Sequence, residues 1–240
     1  MPASENNASE TLAERAYNAI ADAIVRGELI AGARISEASL GKRFQVGRGP
    51  LREALRRLEG RRLVITRPNA GARVVSLSTR DMVELFEIRE ILETRACQLA
   101  TERMLDGEID ALEALLDRGP TSARNTAAPD FHAAIVQGSK SNQLIDLLCG
   151  ELWDLLRIYR VKSALDLGRA EASVQEHREI AQAMRQRDAE RAALLMGHHI
   201  RKERCNLLRQ QGITPLATAL ELGDRAAAER RARKNAPRAV

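Results

Sequence analysis

Aromatic side chains are nearly missing from this chain: Phe, Tyr and Trp supply 2% of 240 residues. Its cores must therefore be built from Leu, Ile, Val and Ala, which favours packed helices over a β-sandwich. Glycine (15) and proline (7) are too few for a turn-rich β fold. No apolar run approaches the roughly 20 residues that span a bilayer. The start, MPASENNASE, has neither a basic stretch nor a hydrophobic one, so no signal peptide and no membrane partner is expected, and a cytoplasmic location is. Cysteine is scarce as well. Cys97, Cys149 and Cys205 are odd in number, widely spaced and without a CxxC, which excludes a disulfide framework and points to reduced thiols near helix cores.

What is present is charge, unevenly spread. The net charge of +5 divides into +5 over residues 1–77, −3 over 78–211 and +3 over the tail. A basic first third on a mildly acidic body is the footprint of a nucleic-acid module joined to something else.

The order of elements sharpens that reading. Thr11 and Glu14 have capping-box spacing, and Leu12, Ala16, Ile20, Ala23 and Ile24 repeat at helical period until Gly27. A short extended stretch surrounds Gly32. Ser36 caps a second helix over 37–44, with Leu40 and Phe44 inward, and after the turn at Gln45-Val46-Gly47 a third helix covers about 48–60. LVITRP and ARVVSL then read as two strands joined by Pro68-Asn69-Ala70-Gly71. Three helices and a hairpin make a winged helix-turn-helix over 9–77. A second capping box at Ser78 opens an all-α bundle over 78–211, and 212–240 is a basic tail read as a solvated end. The bundle begins with a helix over about 79–105 that carries Met82, Leu85, Ile88, Leu92, Ala96 and Leu99 on one stripe. Helices follow at about 108–117, 129–138, 141–160, 169–187 and 189–211, with a break at 118–129. The expected fold is mainly α.

Lys42 to Arg62 holds eight basic residues against Glu53 and Glu59. Leu51, Ala54, Leu55 and Leu58 give the third helix its apolar face, while Arg48, Arg52 and Arg56 recur every four residues along another. Such a stripe suits a major groove about 12 Å wide, where guanidinium groups grip phosphates or hold guanine bidentately. Arg48, at the helix start, is the expected base reader. Arg43 and Arg52 are expected on phosphates, with Asn69 and Gly71 at the wing tip.

The string ISEASLGKRFQVGRGPLREALRRLEGRRLVITRPNAGARV resembles the N-terminal domain of the GntR family of bacterial regulators. The matching residues include Gly32, Ser36, Glu37, Leu40, Val46, Arg48, Pro50, Arg52, Glu53, Ala54, Leu55 and Gly71. The chain departs from the family pattern at Ala31, where proline is usual, and at Gln45, where glycine is. It also departs at Gly47 and Gly49, where hydroxyl residues commonly meet the DNA backbone; the resemblance places Gly49 among the DNA contacts.

The chain has four histidines. His132 shares a helical face with Ile135 and Val136; His177 shares one with Val174, Ile180, Ala181 and Met184; His199 shares one with Leu195, Met196 and Ile200. Three such imidazoles could converge on a divalent ion (Zn, Ni or Mn) or could be hydrogen-bonded core residues. His198 is turned about 100° away, toward the surface. Arg89, one turn before Glu93, interrupts an apolar stripe and reads as a buried or interfacial ion pair with Glu93. Arg157 reads as a surface residue and Tyr159 as a weak candidate for a pocket wall.

Residues 79–211 resemble the FCD ligand-sensing domain of the FadR-like subgroup, through EIREILETRACQLA, FHAAI with SNQLIDL, EHREIAQAMRQRDAERAA and MGHHI. The resemblance implies a metal held by His132, His177 and His199 together with an acid one turn before the first. That position falls on Ala128; Asp130, two residues before His132, could serve as the fourth ligand only if the helix began later. The resemblance also implies that Arg89 helps hold an effector's carboxylate beside the metal. The expected function is a ligand-responsive repressor, a homodimer on a two-fold operator, released by a small organic acid and without enzymatic activity. The competing readings are a metal-dependent hydrolase with a DNA-binding appendage, for which no general base or nucleophile is visible, and a sequence-tolerant architectural DNA-binding protein, which leaves the helical domain unexplained.

Overall fold

The computed structural model describes residues 10–67, 71–117, 130–164 and 167–213. Its N-terminal third is built from α1 (Leu12–Val25), α2 (Glu37–Phe44), α3 (Arg48–Gly60), β1 (Val64–Arg67) and β2 (Gly71–Val74). Thr11 and Glu14 close a reciprocal capping box on α1, through Glu14 N to Thr11 Oγ1 at 3.1 Å and Thr11 N to Glu14 Oε2 at 2.9 Å. Ser36 caps α2. β1 and β2 pair antiparallel, Val64 opposite Val74 and Arg67 opposite Gly71. The segment around Gly32 lies along the other edge of β2, with Ile35 N to Ala72 O at 2.8 Å and Val74 N to Ala33 O at 3.0 Å. Gly71 takes φ 73° to enter the strand, a conformation that favours glycine. Asn69, expected at the wing tip, lies outside the described residues.

The remainder is helical: α4 (Thr79–Arg103), α5 (Asp106–Leu116), α6 (Phe131–Gly138), α7 (Asn142–Ile145), a π-helical stretch (Asp146–Glu151), α8 (Trp153–Ala164), α9 (Leu167–Arg185) and α10 (Ala189–Gln210). α4 and α10 run antiparallel through the middle, and α6, α8 and α9 pack around them. Phe86, Ala96, Cys97, Ile135, Leu156, Ile180, Met184, Met196 and Ile200 are buried there and belong to the same apolar cluster as Ile20, Leu51 and Leu58 of the N-terminal third. The three cysteines are free thiols, and burial, with Glu93 nearby, pushes Cys97 up to about 12.

Several expectations need correction. Leu12 is 56% exposed, because the buried face of α1 runs through Ala13, Ala16 and Ile20 instead. Ile88 is 48% exposed, because the inner face of α4 turns through Phe86, Arg89, Glu93 and Cys97. Phe44 is only half-buried, with the Arg43 guanidinium 5.1 Å from its ring centre. The helix expected over 141–160 is interrupted by the π-helical stretch.

Candidate functional site

The candidate DNA-reading surface grows from the turn between α2 and α3. Gln45 ends α2 in the left-handed region, which swings the chain so that α3 lies against α1 with Leu51, Ala54, Leu55 and Leu58 buried. The opposite face presents Arg48, Gly49, Arg52 and Arg56 to solvent. Arg52 pairs with Glu37 at 3.0 Å and Arg43 with Glu28, both exposed pairs. Exposed pairs are worth only about 0–1 kcal/mol, so either guanidinium can leave its glutamate at little cost. Arg48 and Arg56 have no ion pair among the described residues. A Cβ at Gly47 or Gly49 would meet nothing within 4 Å. The hydroxyl residues expected there would fit, and their absence is no packing requirement.

The second constellation lies inside the bundle. α6, α9 and α10 bring His132, His177 and His199 together, with ligand atoms all within 4.8 Å of one another. His177 Nε2 is 3.2 Å from His199 Nε2, which is 3.3 Å from His132 Nε2. Nitrogens bound at about 2.0–2.1 Å to one tetrahedral ion stand roughly 3.3–3.4 Å apart. Carboxylates on the far sides of two rings set the tautomers: His132 Nδ1 donates to Glu93 Oε2 at 2.6 Å, and His199 Nδ1 donates to Glu176 Oε2 at 2.7 Å. An ionised carboxylate only accepts, so both Nδ1 atoms carry hydrogen and both Nε2 lone pairs face inward. Two lone pairs 3.3 Å apart repel unless a cation or a proton joins them. Three inward imidazole nitrogens, two of them on rings whose tautomer a carboxylate fixes, fit a divalent ion. Burial, then the neighbouring His199 and His132, holds His177 well below the usual histidine range and in the neutral, ligating form.

Charged groups surround the cluster. Arg89 is fully buried and donates to Glu93 Oε1 at 2.6 Å and to Glu203 Oε2 at 2.5 Å, while its third nitrogen stands 3.3 Å from His132 Nε2. Burial alone would lower the Arg89 pKa, but the two glutamates raise it. Burial would likewise lift Glu203, yet Arg89, His199 and His132 bring it down to about 2. Arg169 forks onto Glu176 at 2.6 and 2.9 Å. Asp130, considered above as a fourth ligand, is the N-cap of α6: its Oδ1 accepts from His132 N at 2.8 Å and Ala133 N at 3.4 Å. Ala128 lies outside the described residues, and His198 is exposed.

Sequence reasoning missed Glu93 as a partner of His132, and it missed Glu176, Arg169 and Glu203. The one available signal was Glu203 standing four residues after His199, on the same helical face. It also misjudged Arg157, whose side chain is 13% exposed. Arg157 reaches across to α1, donating to Asp22 Oδ1 at 2.6 Å and to Asp154 Oδ1 at 3.3 Å. The Tyr17 hydroxyl donates to Asp154 Oδ2 beside it. Tyr159 is buried edge-on to Phe86, with ring centres 5.7 Å apart.

Comparison with known proteins bears on both constellations. Residues 12–74 match the model for bacterial regulatory proteins of the gntR family, and residues 84–202 match that for the FCD domain. The chain is 30% identical over 204 residues to the HTH-type transcriptional repressor GlaR of Escherichia coli (strain K12), covering 77% of this chain and 90% of that protein. It is 30% identical over 184 residues to the HTH-type regulator YdhC of Bacillus subtilis (strain 168), covering 73% and 82%. The fold resembles E. coli McbR/YncC with a TM-score of 0.70 at 21% identity, covering 84% of this chain and 98% of that one.

Proposed function

From its membership of the GntR family of bacterial regulatory proteins, with an FCD domain behind the DNA-binding module, we propose that this transcriptional regulator reads operator DNA with the exposed arginine face of α3. Arg48 reads base edges, Arg43 and Arg52 hold phosphates, Gly49 lets the helix start approach the backbone, and the wing with Asn69 and Gly71 lies against the adjacent groove. The observation that carries this is one helix with four buried apolar residues on one side and Arg48, Arg52 and Arg56 exposed on the other.

The bundle senses. His132, His177 and His199 hold a divalent ion, zinc, nickel or manganese, and Arg89 takes a carboxylate of a small organic acid beside it. Arg89 and Arg169 stand against Glu93, Glu176 and Glu203, so with neutral imidazoles the cluster is one charge short of neutral. A divalent ion brings it to +1 and a monocarboxylate to zero, which is why acid and metal fit better together than the acid alone. The protein acts in the cytoplasm as a homodimer on a two-fold operator with half-sites about 34–36 Å apart. Ile88, Ile91 and Leu194, exposed 48%, 71% and 58% on the α4–α10 face, support pairing through that face. Effector binding releases the operator, which makes the protein a repressor.

The chain is a regulator and not an enzyme, so the hydrolase reading falls. An architectural role leaves the effector domain without a purpose. Arg48→Ala should abolish sequence preference while the far-UV helical signal stays unchanged. Footprints identical to wild type would refute the assignment.

A further inference from the structure

We infer that Glu203 is the acidic ligand of the histidine centre, so that the centre is completed by this chain and needs no carboxylate from an effector. The inference rests on the metal reading above. Three neutral imidazoles leave one tetrahedral position and two positive charges to be met. Among the described residues, the acids near the cluster divide by the side of the ring they occupy. Glu93 and Glu176 are held on Nδ1 atoms, away from the inward nitrogens. Asp130 is committed to the N-terminus of α6. Glu203 lies on the inward side: its Oε2 is 3.8 Å from His199 Nε2, within about half an ångström of a tetrahedral ligand edge.

The helix explains the placement. His199 and Glu203 are one turn apart on α10 and share its inner face. Arg89 completes the arrangement. It grips Oε2, and a carboxylate has a second oxygen and further lone pairs, so Glu203 can bridge guanidinium and ion together. The arginine then orients the acid as an outer partner orients a metal ligand. Glu203 thereby supplies what Ala128 cannot.

The test uses metal-stripped, full-length protein titrated with cobalt(II), whose visible bands intensify in a tetrahedral site. Wild type should take up one ion per chain with intense bands, and millimolar azide should leave the spectrum unchanged because no position is open. Glu203→Gln should bind cobalt at least about 100-fold more weakly, and azide should shift its spectrum when it is loaded at high cobalt. If wild type loads, His177→Ala does not, and Glu203→Gln equals wild type, Glu203 is overturned while the metal centre stands. A wild-type spectrum that shifts with azide overturns Glu203 in the same way without any variant, which decides the matter should Glu203→Gln fail to fold. No cobalt uptake by wild type overturns both readings.

Discussion

Gln45 sits at φ 54° at the end of α2, a region that costs a residue with a Cβ about 1 kcal/mol more than glycine. Gln45→Gly should therefore raise stability by about 1 kcal/mol, or roughly 2–4 °C in the unfolding midpoint for a chain of this size. A lower midpoint on thermal unfolding would mean that the glutamine side chain contributes more than its strain removes. The same scale shows what sequence could and could not say about the histidine cluster. His132, His177 and His199 were visible because each shares a helical period with apolar neighbours. Glu176 and Arg169 were not, nor was the contact of Glu93 with His132, because a charged residue on a helix face gives no sign of which distant helix packs against it. Arg89 fell between: its place in an apolar stripe marked it as buried, and its pairing with Glu93 was legible, but Glu203, 114 residues away, was not.

Helices were legible wherever caps and period agreed, as at Thr11, Ser36 and Ser78, where the side chains do cap. The stretch 146–151 was not, because π and α turns draw on the same residues and differ only in which carbonyl each amide reaches. The start of α6 was misread by two residues, and those two residues decide the role of Asp130. Once the helix begins at Phe131, the Asp130 side chain faces the free amides of the first turn and not the imidazole of His132. Asp130→Ala should then cost about 1 kcal/mol of stability while cobalt affinity changes far less than in His177→Ala. Equal losses of cobalt from the two variants would restore Asp130 as a ligand.

At the scale of the molecule, α8 joins the histidine bundle to the N-terminal helices. The Arg89 guanidinium lies 5.3 Å from the Phe86 ring centre, Phe86 meets Tyr159 of α8, and the same helix offers Asp154 and Arg157 to Tyr17 and Asp22 of α1. The Tyr17 ring then receives Arg57 of α3 at 4.9 Å. Burial first, and the bond to Asp154 second, raise the Tyr17 pKa, so the hydroxyl stays a donor at any physiological pH. Hydrogen bonds to charged groups are worth about 1.5–3 kcal/mol. Tyr17→Phe should accordingly speed amide exchange along α1 and the first turn of α8 by about 10–100-fold. Exchange at the wild-type rate would mean that this bond does not hold the two parts together. None of these bridges could be read from sequence, since Tyr17 and Asp154 are 137 residues apart and each is locally an ordinary amphipathic position.

The scarcity of aromatics has a practical side. The chain has a single tryptophan, Trp153, partly buried and adjacent to the acid that Tyr17 engages. Its emission comes from the first turn of α8 alone, so operator, metal and candidate effectors can be screened for whether they disturb that turn with no label attached.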